Sequence, residues 1–155
     1  MTQIDFYVQV DDKPETVRKL CAKALGANAQ VVVWCPDQGA GQRLSRLLWS
    51  VPATGFVPHC FGGDPLAPRT PIVLFWEDGD VVHDQVLINL RAEVPAFFSR
   101  FERLIEIVSA ADETEKQLAR ERFRYYRDRG YEIRTHDMTG TMNGATASQA
   151  PSSVA

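Results

Sequence analysis

The chain has 155 residues, 45% of them hydrophobic and 24% charged, and a formal net charge of −3. That length suffices for one domain to bury a core without disulfides or metals, and the mild acidity argues against general nucleic-acid or membrane binding. Cys21, Cys35 and Cys60 form neither a CxxC pair nor an even disulfide framework, no run approaches ~18 apolar residues, and the start MTQIDFYVQVDD is no signal peptide, so a cytoplasmic protein is expected.

Ile4 to Val10 (IDFYVQV) is short, β-branched and aromatic and runs into Asp11-Asp12-Lys13-Pro14, which predicts a first strand ending in a turn. Glu15 to Leu25 places Val17, Leu20, Cys21, Ala24 and Leu25 on one helical face, with Gly26 as its stop. Gln30 to Cys35 (QVVVWC) is the nearly continuous apolar run of a strand covered on both faces. The chain therefore opens β-α-β. Asp37 is positioned to cap a second helix, Gly39 to Ser50, whose inner side is Leu44, Leu47 and Leu48.

Ser50 to Pro68 holds four prolines and three glycines and reads as a long irregular connection, a kind of segment that often carries function. Pro71 to Trp76 and Gln85 to Asn89 read as further strands. Pro95 to Ala110 (PAFFSRFERLIEIVSA) is expected to be an amphipathic helix, since Phe97, Phe98, Phe101, Leu104, Ile105 and Val108 recur at helical spacing.

Asp112 to Gly130 (DETEKQLARERFRYYRDRG) is the predicted helix with the most pointed chemistry. Asp112 and Glu115 form a capping-box-like start, and Gly130 is placed for a left-handed stop. Residues 114–130 carry six basic side chains against three acidic ones, a local +3 in a chain whose remainder sums to −6. Lys116, Arg120, Phe123 and Arg127 share one stripe with Arg124 beside it, while Ala119, Phe123 and Tyr126 beside Leu118 and Tyr125 form an apolar docking side. A charge run is in general a solvated face; the alternative is a groove for an acidic peptide or a phosphate backbone. Tyr131 to Arg134 is expected to be a last short strand. From His136 onwards the chain is small and polar, so a domain over 1–135 with a disordered tail over 136–155 is expected.

No catalytic constellation stands out. Gly39-Ala40-Gly41 lies between a strand and a helix, but the third glycine of a dinucleotide fingerprint would fall on Leu44 and no GK[ST] ending is present. His59 and Cys60 are neighbours without further ligands at metal spacing, and Asp78, Asp80 and Asp84 sit in a turn region. Trp49, Phe56 and Val57 with Pro58 put large apolar groups in the proline-rich connection, as core or as anchors of a protein-binding surface.

Several segments together, DFYV, LLW followed by FVPH, PIVLFW, LINLRAEVPAFFSRFERLIEIV and KQLARERFRYYRDRGY, resemble the chi subunit family of the bacterial DNA polymerase III holoenzyme. The resemblance implies an α/β, Rossmann-like three-layer fold with a mostly parallel central sheet. It implies a non-catalytic accessory subunit without cofactor, which meets DNA only indirectly and no membrane. The implied partners are the psi subunit, at Trp49, Phe56, Val57 and Pro58, and the acidic C-terminal tail of single-stranded DNA-binding protein. The tail site implied comprises Lys116, Arg120, Phe123, Val108, Arg124 and Arg127, with Phe123 standing where the family often has tyrosine and Val108 on the preceding helix. Two other readings remain open: a nucleotide-binding or small-molecule enzyme on the same fold, and direct single-strand binding by Arg122, Arg124 and the tyrosines.

Overall fold

A computed structural model describes residues 1–49, 58–77 and 81–139. These form a seven-stranded sheet and three α-helices. The strands are β1 (Gln3–Val10), β2 (Val31–Trp34), β3 (His59–Phe61), β4 (Ile72–Phe75), β5 (Val86–Asn89), β6 (Arg103–Ser109) and β7 (Ile133–Asp137), and the helices are α1 (Lys13–Gly26), α2 (Gln38–Trp49) and α3 (Glu113–Asp128). The sheet order is β3-β4-β2-β5-β6-β1-β7, and every pairing is parallel. The fold is α/β, as expected, with helices on both faces.

Valine-rich β2 is buried along its whole length, because a parallel strand flanked by helices meets apolar neighbours on both sides. One face packs Val31, Val33, Ile72, Leu74 and Ile88 against Val17 and Cys21 of α1 and Leu44 and Leu48 of α2. The other packs Ile4, Phe6, Leu104 and Val108 against Ala119 and Tyr126 of α3, together with Phe98 and Phe101. Among the described residues, no helix is long and apolar enough to cross a membrane.

The largest departure from expectation is the segment 95–110. In place of an amphipathic helix it forms a single 3₁₀ turn at Phe98–Arg100 followed by β6, paired with β5 on one side and β1 on the other. Leu104, Ile105, Ile107 and Val108 are buried on both faces of that strand, and a run buried on both faces satisfies the helical template by chance. The β-branched residues within LIEIV favour the strand. Val108 is accordingly a strand residue, not a helical one.

Smaller corrections have local causes. Gly26 lies inside α1, and Asn28 takes the left-handed conformation at φ 59, with Ala29 N–H bonding Ala24 O at 2.8 Å and Asn28 N–H bonding Leu25 O at 3.0 Å, a Schellman stop. Strand β3 emerges from the irregular connection. Its side chains are half-buried at the sheet edge, so neither length nor hydropathy marks it in the sequence. Strand β7 carries ordered chain through His136 and Asp137, where composition alone starts the tail. The imidazole of His136 stacks on Tyr7 at 4.5 Å and lies 3.1 Å from the Asp5 carboxylate. Residues 140–155 of the expected tail lie outside the described residues.

Candidate functional site

Strands β1 and β6 are neighbours, yet β1 leads to α1 on one face and β6 to α3 on the other. A crevice between the carboxyl ends of two such strands is where open α/β sheets commonly bind ligands. Here the crevice is filled by the chain's own charges. Asp12 caps α1 and Asp112 caps α3, each accepting from the N–H three residues on. The Glu115 carboxylate accepts from Ser109 N–H at 2.8 Å and from Lys13 Nζ at 2.9 Å, instead of closing a full capping box on Asp112.

Gly39-Ala40-Gly41 is equally well explained without a phosphate. Asp37 accepts from Ala40 N–H at 2.8 Å, which occupies the start of α2. A Cβ on Gly41 would stand 2.6 Å from the Trp76 ring, so this glycine lets an indole pack against the helix. His59 and Cys60 are adjacent on β3, where successive side chains take opposite faces, and the His59 ring bonds Ser45 Oγ at 2.8 Å. Among the described residues, no group of three or more His, Cys, Asp and Glu is placed to hold a metal ion.

The basic stripe of α3 is intact. The helix ends in a Schellman motif, with Gly130 at φ 85, Gly130 N–H on Arg127 O at 3.0 Å and Tyr131 N–H on Tyr126 O at 3.2 Å. Ala119, Arg122 and Tyr126 are its buried positions. At the edge of that buried face a cavity of about 490 Å³ opens between α3 and the β1–β7 margin of the sheet. Its helical wall is Lys116, Ala119, Arg120, Phe123, Arg124 and Arg127, and the opposite wall includes Phe6, Val8, Thr135 and Asp137, with Val108 of β6 between them. All six residues that the resemblance implies for a tail site line this one cavity.

The walls are chemically unlike. Phe123 is half-buried and rests on Phe6 with ring centroids 5.3 Å apart, so its position is set by the core while one side faces the cavity. Arg120 is exposed, and its Nη1 lies 3.5 Å from Gln117 Oε1. Lys116 Nζ pairs with Glu113 at 3.1 Å and Arg127 Nη2 approaches Asp128 at 3.5 Å, both surface contacts of the weak kind. Cations beside an aromatic-apolar wall, in a cavity within the ~300–1,000 Å³ range of ligand pockets, suit a ligand that is acidic and carries a ring.

Arg122, counted with this positive charge in the sequence, is withdrawn from the surface. Its Nε donates to Glu106 at 3.0 Å and its Nη1 to Ala92 O at 2.7 Å. The other Glu106 oxygen accepts from Tyr126 Oη at 2.6 Å and from Asn89 Nδ2 at 3.1 Å. Burial pushes the Glu106 carboxyl up, against the opposing pull of Arg122, Tyr126 and Asn89; burial and Glu106 together push the Tyr126 phenol up. Direct strand binding through Arg122 is therefore unavailable.

The sequence missed Gln9 and Asp137 as cavity residues. The β1–β6 register passes from Tyr7–Ile107 to Val10–Ser109, so Val8 and Gln9 face Val108 alone in a bulge, and Gln9 adopts φ 58. A bulge of that kind leaves no mark on alternation, and Asp137 becomes visible only once β7 is known to pair with β1.

Trp49 lies far from this cavity. It ends α2, is 65% exposed, and stands edge-on to the His59 ring at 5.9 Å. Pro58 is half-buried beside β3; Phe56 and Val57 lie outside the described residues. Strands β3 and β7 are the two sheet edges, six interstrand spacings or about 29 Å apart.

The family model described as DNA polymerase III chi subunit, HolC, matches residues 1–134. The chain belongs to this family. Its relatives include the DNA polymerase III subunit chi of Pseudomonas aeruginosa, 32% identical over 140 residues that cover 88% of this chain and 96% of the relative. That of Escherichia coli is 30% identical over 122 residues, covering 78% and 82%, and that of Haemophilus influenzae is 28% identical over 138 residues, covering 86% and 95%. The family match covers β1 to β6, all three α-helices and the first two residues of β7; of the cavity lining, Thr135 and Asp137 lie just beyond it.

Proposed function

We propose that the chain is a non-catalytic adaptor of a DNA polymerase III holoenzyme, holding the psi subunit at the Trp49 edge and the acidic C-terminal tail of single-stranded DNA-binding protein in the α3 cavity. The observation that carries the reading is the cavity itself: Lys116, Arg120, Arg124 and Arg127 meet Phe123 and Val108 there, in a chain of net charge −3. A tail that ends in phenylalanine with a free carboxylate satisfies both walls. The carboxylate takes a charge-assisted bond from Arg120 or Lys116, and the ring lies along Phe123 and Val108. Arg124 and Arg127 attract the acidic residues upstream, which speeds encounter more than it tightens the final complex.

Phe123 supplies a ring face without a phenolic hydroxyl, so the contact depends on charge and apolar area. With Trp49 exposed at the far side of the sheet, the psi contact should be the more apolar and lasting of the two, and the ~29 Å between sheet edges lets both partners dock together. The test is a titration of a peptide matching the binding protein's C-terminus, followed by the same titration after psi is bound. The adaptor reading expects micromolar-range, salt-sensitive binding that psi leaves unchanged; competition between the two partners would count against it.

A further inference from the structure

One cavity residue has the wrong sign for an acidic ligand. Asp137 lines the same space as Lys116, Arg120, Arg124 and Arg127. It is the last residue of β7, in register with Val8 of β1, and is exposed at the rim. Since α3 leads from β6 back to parallel β7, it runs opposite to the strands, and the first-turn residues of α3 stand near Asp137 while Arg127 lies toward the far end. At this end the charge of Lys116 is already shared with Glu113 at 3.1 Å. Arg127 likewise has Asp128 at 3.5 Å, so the cavity is polarised by Asp137, with its net positive charge displaced toward Arg120 and Arg124 and on to Arg127.

The carboxylate is fixed and ionised. Asp137 Oδ1 accepts from Thr139 N–H at 2.8 Å and from Thr139 Oγ1, and these hydrogen bonds hold the carboxyl below its ordinary range. The cavity follows α3 from Lys116 to Arg127, about 16 Å of helix and so about twice the ~8 Å physiological screening length, and Asp137 therefore acts on an anion at its own end far more than on one beside Arg127. Resting on the acidic-ligand reading of this cavity, we propose that Asp137 is a specificity-determining residue that weakens the hold on anionic peptides and keeps the contact rapidly reversible. Such a residue rejects ligands whose negative charge is crowded at the strand-end side of the cleft, and it favours those that carry it toward Arg124 and Arg127.

The test compares wild type, Asp137→Asn and Arg120→Ala, each titrated with a synthetic peptide bearing acidic residues and a C-terminal phenylalanine with free carboxylate. Asparagine keeps the oxygen that accepts from Thr139, so the turn is retained and only the charge is lost. At low ionic strength Asp137→Asn should bind about two- to fivefold more tightly, as expected for one exposed charge contact, and the gain should shrink toward one as salt is raised. Equal or weaker binding by Asp137→Asn at low salt, or a gain that salt does not reduce, would overturn the proposal. If Arg120→Ala loses affinity while Asp137→Asn gains none, only the role of Asp137 falls. If wild type does not bind the peptide, or Arg120→Ala binds as wild type does, the reading of the cavity falls and this proposal with it.

Discussion

Arg122 on α3 reaches into the sheet and donates to Glu106 at the middle of β6, with the two side chains 5% and 0% exposed. This pair, completed by Tyr126 and Asn89, pins the helix that carries the basic stripe to the strand that carries Val108. Removing one partner of a buried pair strands the other charge without compensation. Arg122→Ala should therefore cost about 3–5 kcal/mol, whereas replacing both Arg122 and Glu106 by apolar residues of similar volume should cost much less. Urea unfolding of the single and double variants measures the difference.

Tyr126→Phe removes a single hydrogen bond from that carboxylate and leaves the packing in place. The ring meets Phe6 at 6.1 Å and Phe98 at 5.2 Å in edge contacts that survive the change. A loss of about 1–3 kcal/mol is expected, the range for a buried acceptor deprived of one donor. Peptide affinity, measured under conditions where the variant is folded, should stay at the wild-type value.

Two glycines two residues apart on α2 should respond differently to alanine. A Cβ on Gly41 would meet two Trp76 ring atoms at 2.6 and 2.7 Å, so Gly41→Ala should destabilise by ~1–3 kcal/mol through overpacking. At Gly39 the tightest neighbour is the Arg43 guanidinium at 3.1 Å, the mobile end of a long side chain. Gly39→Ala should be neutral or stabilising by up to ~1 kcal/mol, because alanine favours the helix. Thermal unfolding of the two variants side by side checks the contrast.

How far the sequence reveals this molecule depends on how local the signal is. The β-α-β opening and α3 were legible because periodicity, caps and composition agree within each segment, and the stripe from Lys116 to Arg127 follows from helical phase alone. Strand β6 was not legible. Its apolar residues are buried from both sides by helices and strands remote in sequence, and the β-branched residues of LIEIV are a weaker local signal than the helical spacing they happen to satisfy. The same limit applied to Arg122, which is one cation among six until Glu106, 16 residues away, is placed beneath it. Asp137 and Gln9 join the cavity only through the β1–β7 pairing and the β1 bulge.

The cysteines should differ in reactivity. Burial pushes the Cys21 and Cys35 thiols up to about 12, while Cys60, half-buried on edge strand β3, is raised less, by burial offset by a hydrogen bond with Thr70. A thiol with a pKa near 12 is thiolate only to the order of 10⁻⁴ at pH 8, and the thiolate is the nucleophile. Alkylation of the folded protein followed by mass spectrometry should label Cys60 first. In denaturant all three should react at similar rates.

On the proposed adaptor reading, the cavity's own cations hold the acidic tail, as distinct from the general positive charge of α3. Arg120 and Arg129 separate these cases, since Arg120 lines the cavity and Arg129 packs over the Tyr125 ring with its guanidinium carbon 3.5 Å from the centroid. The two variants Arg120→Ala and Arg129→Ala change net charge equally. Titrated with the binding protein's C-terminal peptide at physiological ionic strength, Arg120→Ala should lose about tenfold or more, the effect of removing a charge-assisted anchor, while Arg129→Ala stays within about twofold of wild type. Equal losses in both variants, or an unchanged affinity for Arg120→Ala, would rule out the cavity as the tail site.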